Sequence, residues 1–341
     1  MSLNDLVLVV FLEKTEGIEV GNESFPSYYE YRYNSDPKLL LEEAVERGFL
    51  IKSDYKFNIY QKTNAELKEI LRDNDLKVSG IKDELVERLI KNIDEEKLKS
   101  IFNQSYYKLS DSGKELVAKN AHIIYYHKKL SNVDIGLYEY HKALKKDNLN
   151  KYEAAIKLIK NKAIVHRKKG NWGLFRNSLS NIGSVYSDNG DSKNALDMHL
   201  KVCRLDLSGL GNNKIFDPSS IFLAPGIIGI VEKEMEILNY NENDLKSYYY
   251  NSTEELNLPK EIYSKEESFN YIIRGINKGA DLITDELRNK HKDISYEIIG
   301  EKQFDKKERN TISNLNNKKS SGCFNVLLFG LIIFTIILFV F

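Results

Sequence analysis

Residues 139–207 carry helical periodicity without a proline, broken only at Asn148 to Asn150 and at Gly170 to Gly173. A stretch of that kind can bury its apolar positions only as helices joined by tight turns, so antiparallel helical hairpins are expected there. At 341 residues the whole chain has room for about two or three domains, each with its own core. Lysine plus arginine equals aspartate plus glutamate at 50 each, so no global field draws the chain toward nucleic acid. Any electrostatic attraction has to be local. The two cysteines, Cys203 and Cys323, are far apart, which excludes a disulfide framework or a zinc ribbon.

Two apolar runs stand outside this pattern. Leu6 to Leu12 follows acidic Asp5 with no basic segment ahead of it and no small-residue cleavage site, so a buried strand is expected rather than a signal peptide. Phe324 to Phe341 contains 18 residues without a charge. As a helix it spans about 27 Å against a hydrocarbon core of roughly 30 Å, and it is apolar all round. Lys302, Lys306, Lys307, Arg309, Lys318 and Lys319 precede it and outnumber the acids there. The sequence therefore predicts a C-terminal transmembrane helix with the positive flank, and the bulk of the chain, on the cytoplasmic side. Asn310 to Ser321 lacks apolar periodicity and reads as a tether, with Cys323 open to acylation at the boundary.

Asn64 to Asn92 reads NAELKEILRDNDLKVSGIKDELVERLIKN. Leu67, Ile70 and Leu71 mark one helical face, and Leu85, Val86, Leu89 and Ile90 mark another. Between them Leu76 and Val78 are inward anchors of an extended link, and Ser79 is expected to cap the second helix. Glu66, Leu67, Lys68, Leu76, Ser79, Gly80, Lys82, Glu84, Leu85, Arg88 and Leu89 fall on the pattern of the SAP domain, which this segment resembles. The resemblance implies a helix, link and helix module associated with DNA and chromatin. It departs at Asp75, where the family usually has Gly; Asp tolerates a left-handed conformation better than most residues, so the turn can survive. Carried over by position, the resemblance makes Ser79, Gly80 and Lys82 candidate DNA contacts at the start of the second helix, where backbone N–H groups can receive phosphate. Lys68 and Arg72, four apart on one face, and Arg88, unless it is tied to the fold, add further candidates. Residues 62–92 hold seven basic and seven acidic side chains, so binding is expected to be weak and salt-sensitive. Packing or a protein partner is the other use such a hairpin can have.

Around this hairpin, Ser35 or Asp36 can cap a helix that opens on Pro37 and closes at Gly48. Its ERGFL end and the YYKLSDSGKELV segment from Tyr106 resemble the strand pair and following helix of winged-helix regulators, with the SAP-like hairpin inserted between the strands. Further on, Ile182, Gly183, Tyr186, Gly190 and Ala195 fall at the spacing of one tetratricopeptide repeat, which residues 178–207 resemble, although His199 stands where that family prefers a large aromatic. Such stacks present surfaces to peptides or partner helices, or simply form a helical body, and neighbouring helices at 151–168 and beyond 218 are needed to complete the packing. The HRKK run at 166–169 either meets phosphate or is a solvated helix end before Gly170.

Catalytic spacing is not found: HExxH, GxSxG, a phosphate loop ending in GK[ST] and CxxC are all missing. GLGNNK at 209–214 reads as a loop. His122 and His127 are five apart, too far round a helix to share a metal without other ligands. No catalytic residue, metal or cofactor is indicated. The expected fold class is mainly α with a small α+β N-terminal part: a SAP helical hairpin, an α-helical hairpin body and a C-terminal transmembrane helix. The layout is an α+β region at 1–130 containing the SAP-like segment 62–96, a helical, partly tetratricopeptide-like region at 131–300, a polar linker at 301–323 and the span at 324–341. The function expected is a membrane-anchored, noncatalytic binder of double-stranded DNA, with a possible protein partner at the repeat surface. The alternative is a membrane-anchored adaptor without nucleic-acid binding, and an enzyme with an unrecognised site remains a third class.

Overall fold

The computed structural model describes residues 1–299. They form helices joined by short loops, with two small antiparallel sheets, and divide into two compact units, Met1–Ile159 and Lys160 onward. The first unit runs α1 (Leu3–Thr15), α2 (Tyr28–Tyr33), α3 (Pro37–Glu46), β1 (Leu50–Lys52), α4 (Tyr55–Gln61), α5 (Asn64–Arg72), α6 (Lys82–Asn92), α7 (Glu95–Ile101), β2 (Tyr107–Leu109), α8 (Asp111–Lys119), α9 (Ala121–Tyr125) and α10 (Leu137–Lys146). The division falls within α11 (Lys151–Lys168), so α10 and the first half of α11 belong to this unit.

The apolar run expected as a strand is the central helix of the first unit. Leu6 through Leu12 are all fully buried, and α1 packs against α3, α8, α9 and α10. A helix surrounded on every side shows no polar face, so its sequence loses the periodicity that would have announced it. Ser2 and Asp5 hold its start in a reciprocal capping box, the Ser2 hydroxyl accepting from Asp5 N–H at 3.2 Å.

α3 starts as expected, with Asp36 accepting from Lys38 N–H at 2.8 Å and Pro37 in the first turn. β1 pairs antiparallel with β2, Leu50 opposite Leu109, so α4 to α7 are inserted between two paired strands. α8 follows directly, capped by Ser110. Gly113 on α8 lies against the carbonyl of Phe49, where a Cβ would come within 2.3 Å of the oxygen. Further along, His122 and His127 find separate partners. His122 Nε2 lies 2.9 Å from His141 Nδ1, and the Tyr33 hydroxyl 2.8 Å from His127 Nδ1.

The second unit continues with α12 (Trp172–Asp188), α13 (Ser192–Asp206), β3 (Ile215–Phe216), α14 (Pro225–Ile237), α15 (Glu242–Thr253), α16 (Lys265–Lys278), α17 (Ala280–His291) and β4 (Glu297–Ile298). α13 is its hub, packed by α12, α14, α15 and α16. At the α12–α13 crossing, Gly183 lets the ring of His199 approach so closely that a Cβ would sit 2.7 Å from it. The GLGNNK loop closes the start of α12: Gly211 O accepts from Trp172 N–H at 3.2 Å, and Asn212 Oδ1 from Leu174 N–H at 3.0 Å.

The membrane-anchored architecture expected from sequence is corrected here. Among the described residues no helix is long and apolar enough to cross a membrane. The longest of them, α11, has 18 residues but carries Lys157, Lys160, Lys162 and Arg167 along its length. The polar linker at 301–323, Cys323 and the span at 324–341 lie outside the described residues. The transmembrane helix, the membrane as partner and the cytoplasmic, single-pass placement are withdrawn with it.

Candidate nucleic-acid interface

The segment from Thr63 to Asn92 folds as two helices across an extended link. Thr63 Oγ1 accepts from Glu66 N–H at 3.3 Å and Glu66 Oε2 accepts from Thr63 N–H at 2.7 Å, a capping box that fixes the start of α5. α5 ends in a left-handed turn at Asp75, φ +57°. The turn is closed by Leu76 N–H donating to Leu71 O at 2.8 Å, and by the Asn74 side-chain amide donating to Ile70 O at 2.7 Å. Asp75 therefore does adopt the left-handed conformation, and the turn closes without a glycine. Leu67, Leu71, Leu85, Val86 and Leu89 are fully buried together with Ile59 from α4 and neighbours from α7, and Leu76 and Val78 pack against that cluster. Ile90 is exposed.

With Leu76 and Val78 turned inward, the alternation of an extended chain turns Lys77 out. Arg88 is tied to the fold: its Nη1 donates to the carbonyls of Lys77 and, at 3.0 Å, of Ser79. That clamp removes Arg88 from the set of side chains free to reach phosphate and fixes the link on which Lys77 and Ser79 stand. Lys77 was not among the residues selected from sequence. The alternating anchors on either side were the signal that marks it.

The second helix is not capped by Ser79. Gly80 takes φ +135°, a conformation that L side chains rarely adopt. The chain continues extended through Ile81, which becomes the N-cap, and α6 begins at Lys82. An isoleucine side chain has no acceptor, so the orphan donors of the first turn stay open. Glu84 reaches back to Ile81 N–H at 3.3 Å, and the N–H groups of Lys82, Asp83 and Glu84 meet no acceptor among the described residues. The Ile81 side chain is itself 67% exposed beside them.

The sequence candidates thus separate into groups. Ser79, Gly80 and Lys82 come together at the open end of α6. Lys68 and Arg72 lie one turn apart on α5. Lys68, Arg72, Lys77 and Lys82 make no ion pair among the described residues, whereas Lys62 is held by Gln104 Oε1 at 2.7 Å and Lys97 by the Asn74 side chain. Open N–H donors, a hydroxyl, a glycine backbone and a nearby ammonium form a set suited to a tetrahedral oxyanion. Asp83 and Glu84 in the same turn temper its field.

Among the described residues no group of His, Cys, Asp and Glu is placed to hold a metal ion. No curated protein matches the chain. The family model described as SAP domain matches residues 61–94, and the chain carries a SAP domain there.

Proposed function

We propose that the chain binds duplex DNA through the phosphate backbone, with the open first turn of α6 as the anchoring contact. The observation that carries this reading is Ile81 at the cap position, which leaves the N–H groups of Lys82, Asp83 and Glu84 for a ligand inside a segment matched by the SAP family. Ser79 and Gly80 complete the cradle, and Lys82, Lys77, Lys68 and Arg72 supply charge around it. Arg88 acts indirectly, by holding the link. The module works by binding, and none of its residues is assigned a chemical step.

About four basic side chains reaching phosphate give a log–log salt slope of roughly −3 to −4, so affinity should fall about 100-fold between 50 and 200 mM salt. The test is a fluorescence anisotropy titration of the full chain against a labelled duplex at both salts. Lys82→Glu is expected to weaken binding at low salt at least tenfold and to flatten the salt slope. Binding that ignores salt, or that is unchanged in Lys82→Glu, overturns the proposal.

A further inference from the structure

Ile81 breaks two local rules at once. The N-cap position favours a side chain with an acceptor, and isoleucine is among the poorest choices there. Its apolar side chain is also 67% exposed. Single exposed apolar residues are ordinary on a protein surface. One that stands at the mouth of an open set of N–H donors, in place of the residue type that would close it, is not accounted for by folding.

The neighbouring residues fix where it stands. Ile81 is extended, φ −77° and ψ 168°. Glu84 Oε2 accepts from Ile81 N–H at 3.3 Å, and the same carboxylate fills the space that a Cβ on Gly80 would need. The backbone donor of Ile81 is therefore satisfied from within the turn, and its side chain is left beside the N–H groups of Lys82, Asp83 and Glu84.

What an apolar group meets at this place follows from the chemistry of the ligand. Every internal phosphate of a nucleic acid is esterified to a sugar on both sides. With phosphate oxygens on the open N–H groups, the next group along the strand is a sugar, and the base edges lie further away in the groove. In DNA the sugar carries a C2′ methylene, which can pack on an isoleucine. In RNA it carries the 2′-hydroxyl, both donor and acceptor. Against Ile81 that hydroxyl loses water and gains no partner, because isoleucine has no polar atom and the adjacent N–H groups are taken by the phosphate.

We propose that Ile81 selects deoxyribose over ribose, and so determines that the first turn of α6 accepts a DNA backbone rather than an RNA one. This inference rests on the reading of that turn as a phosphate site and adds the sugar to it.

The test uses the full chain and three fluorescein-labelled duplexes of one sequence, made of DNA, RNA and 2′-fluoro RNA, titrated by anisotropy at low salt. The 2′-fluoro duplex keeps the shape of RNA without the hydroxyl, so it separates sugar chemistry from helix geometry. The wild type is expected to bind DNA about tenfold more tightly than RNA, with the 2′-fluoro duplex closer to DNA. Ile81→Ala replaces one poor cap by another. It should lower DNA affinity, leave RNA affinity as it was, and shrink the preference to under about threefold. Ile90→Ala, on the same helix and 39% exposed, keeps the full preference. Ile81→Ser acts differently: its hydroxyl caps the turn and takes an open donor, so DNA and RNA should both weaken. A preference that survives in Ile81→Ala with a native melting curve overturns the proposal. A 2′-fluoro duplex bound as weakly as RNA overturns it in favour of selection by duplex shape. Salt-dependent DNA binding with equal RNA affinity in the wild type removes the sugar contact alone, whereas no DNA binding at all removes the phosphate site and the sugar contact with it.

Discussion

The α5–α6 pair and the α12–α13 pair are both helical hairpins of this chain, and they dispose of polar groups in opposite ways. The core around α5 and α6 is built of apolar side chains, the buried Asn58 beside it is spent on the carbonyls of Phe102 and Gln104, and the open donors lie outside, at the first turn of α6. α13 instead buries His199, Arg204 and Asp206 among its neighbours. Arg204 donates to Tyr263 O at 2.9 Å and pairs with Glu261 at 2.7 Å. Asp206 takes both Arg176 Nε and Nη2, at 2.7 and 2.8 Å. A small module that keeps polar atoms at its rim has them available for a ligand; a hub that spends them inside gains fixed geometry and becomes sensitive to protonation.

The largest effect that sharpens the contrast is expected from Leu85→Ala. Removing a fully buried leucine from so small a core should cost about 2–5 kcal/mol. Salt-dependent DNA binding should disappear while the fluorescence of Trp172 persists. Loss of both together in a hydrogen-exchange and fluorescence experiment would show that the hairpins do not unfold separately.

Acid should act in the other direction. Burial pushes His122 and His199 down to about 4, and lowers His127, His141 and His291 as well. Each favours its neutral form when folded, so the unfolded chain takes up protons first. Stability is complete above the ordinary histidine value near 6.5 and falls as pH drops from there toward 4, by up to about 3 kcal/mol for His199 or His122. Residues 61–94 contain no histidine, and hydrogen bonds from Thr63 hold Glu66 below the usual carboxylate range, which preserves the α5 cap in mild acid. Thermal melts between pH 7 and 4.5 should therefore lower the transition read by Trp172. Substitution of His199 by Phe should reduce that slope, and an unchanged slope would remove His199 from the account.

What could be read in advance follows the same division. The SAP hairpin was legible because local rules agree there: helical spacing on both sides and anchors at Leu76 and Val78. The cap was misassigned because Ser79 has the right chemistry but Gly80 and Ile81 carry the chain further before it turns helical. α1 was misread because uniform burial erased its periodicity, although Ser2 and Asp5 stood at capping-box spacing. Contacts such as His122 with His141 and Phe49 O with Gly113 depend on tertiary approach and leave no local spacing to find.

The smallest expected effect tests the turn where this chain departs from the SAP pattern. Asp75 sits at φ +57°, a conformation costly to most L residues and less so to Asp. Asp75→Gly relieves that cost but gives the unfolded chain more freedom, at about 0.5–1 kcal/mol, so the two terms nearly cancel. Stability in a denaturant titration should move by less than about 0.5 kcal/mol. Binding has no such cancellation, because a carboxylate beside the phosphate path is removed outright. DNA affinity at low salt is expected to rise about two- to fivefold, with the gain fading as salt screens the charge. A gain that survives high salt would place the effect in the backbone of the link instead, and unchanged affinity would move the DNA path away from the end of α5.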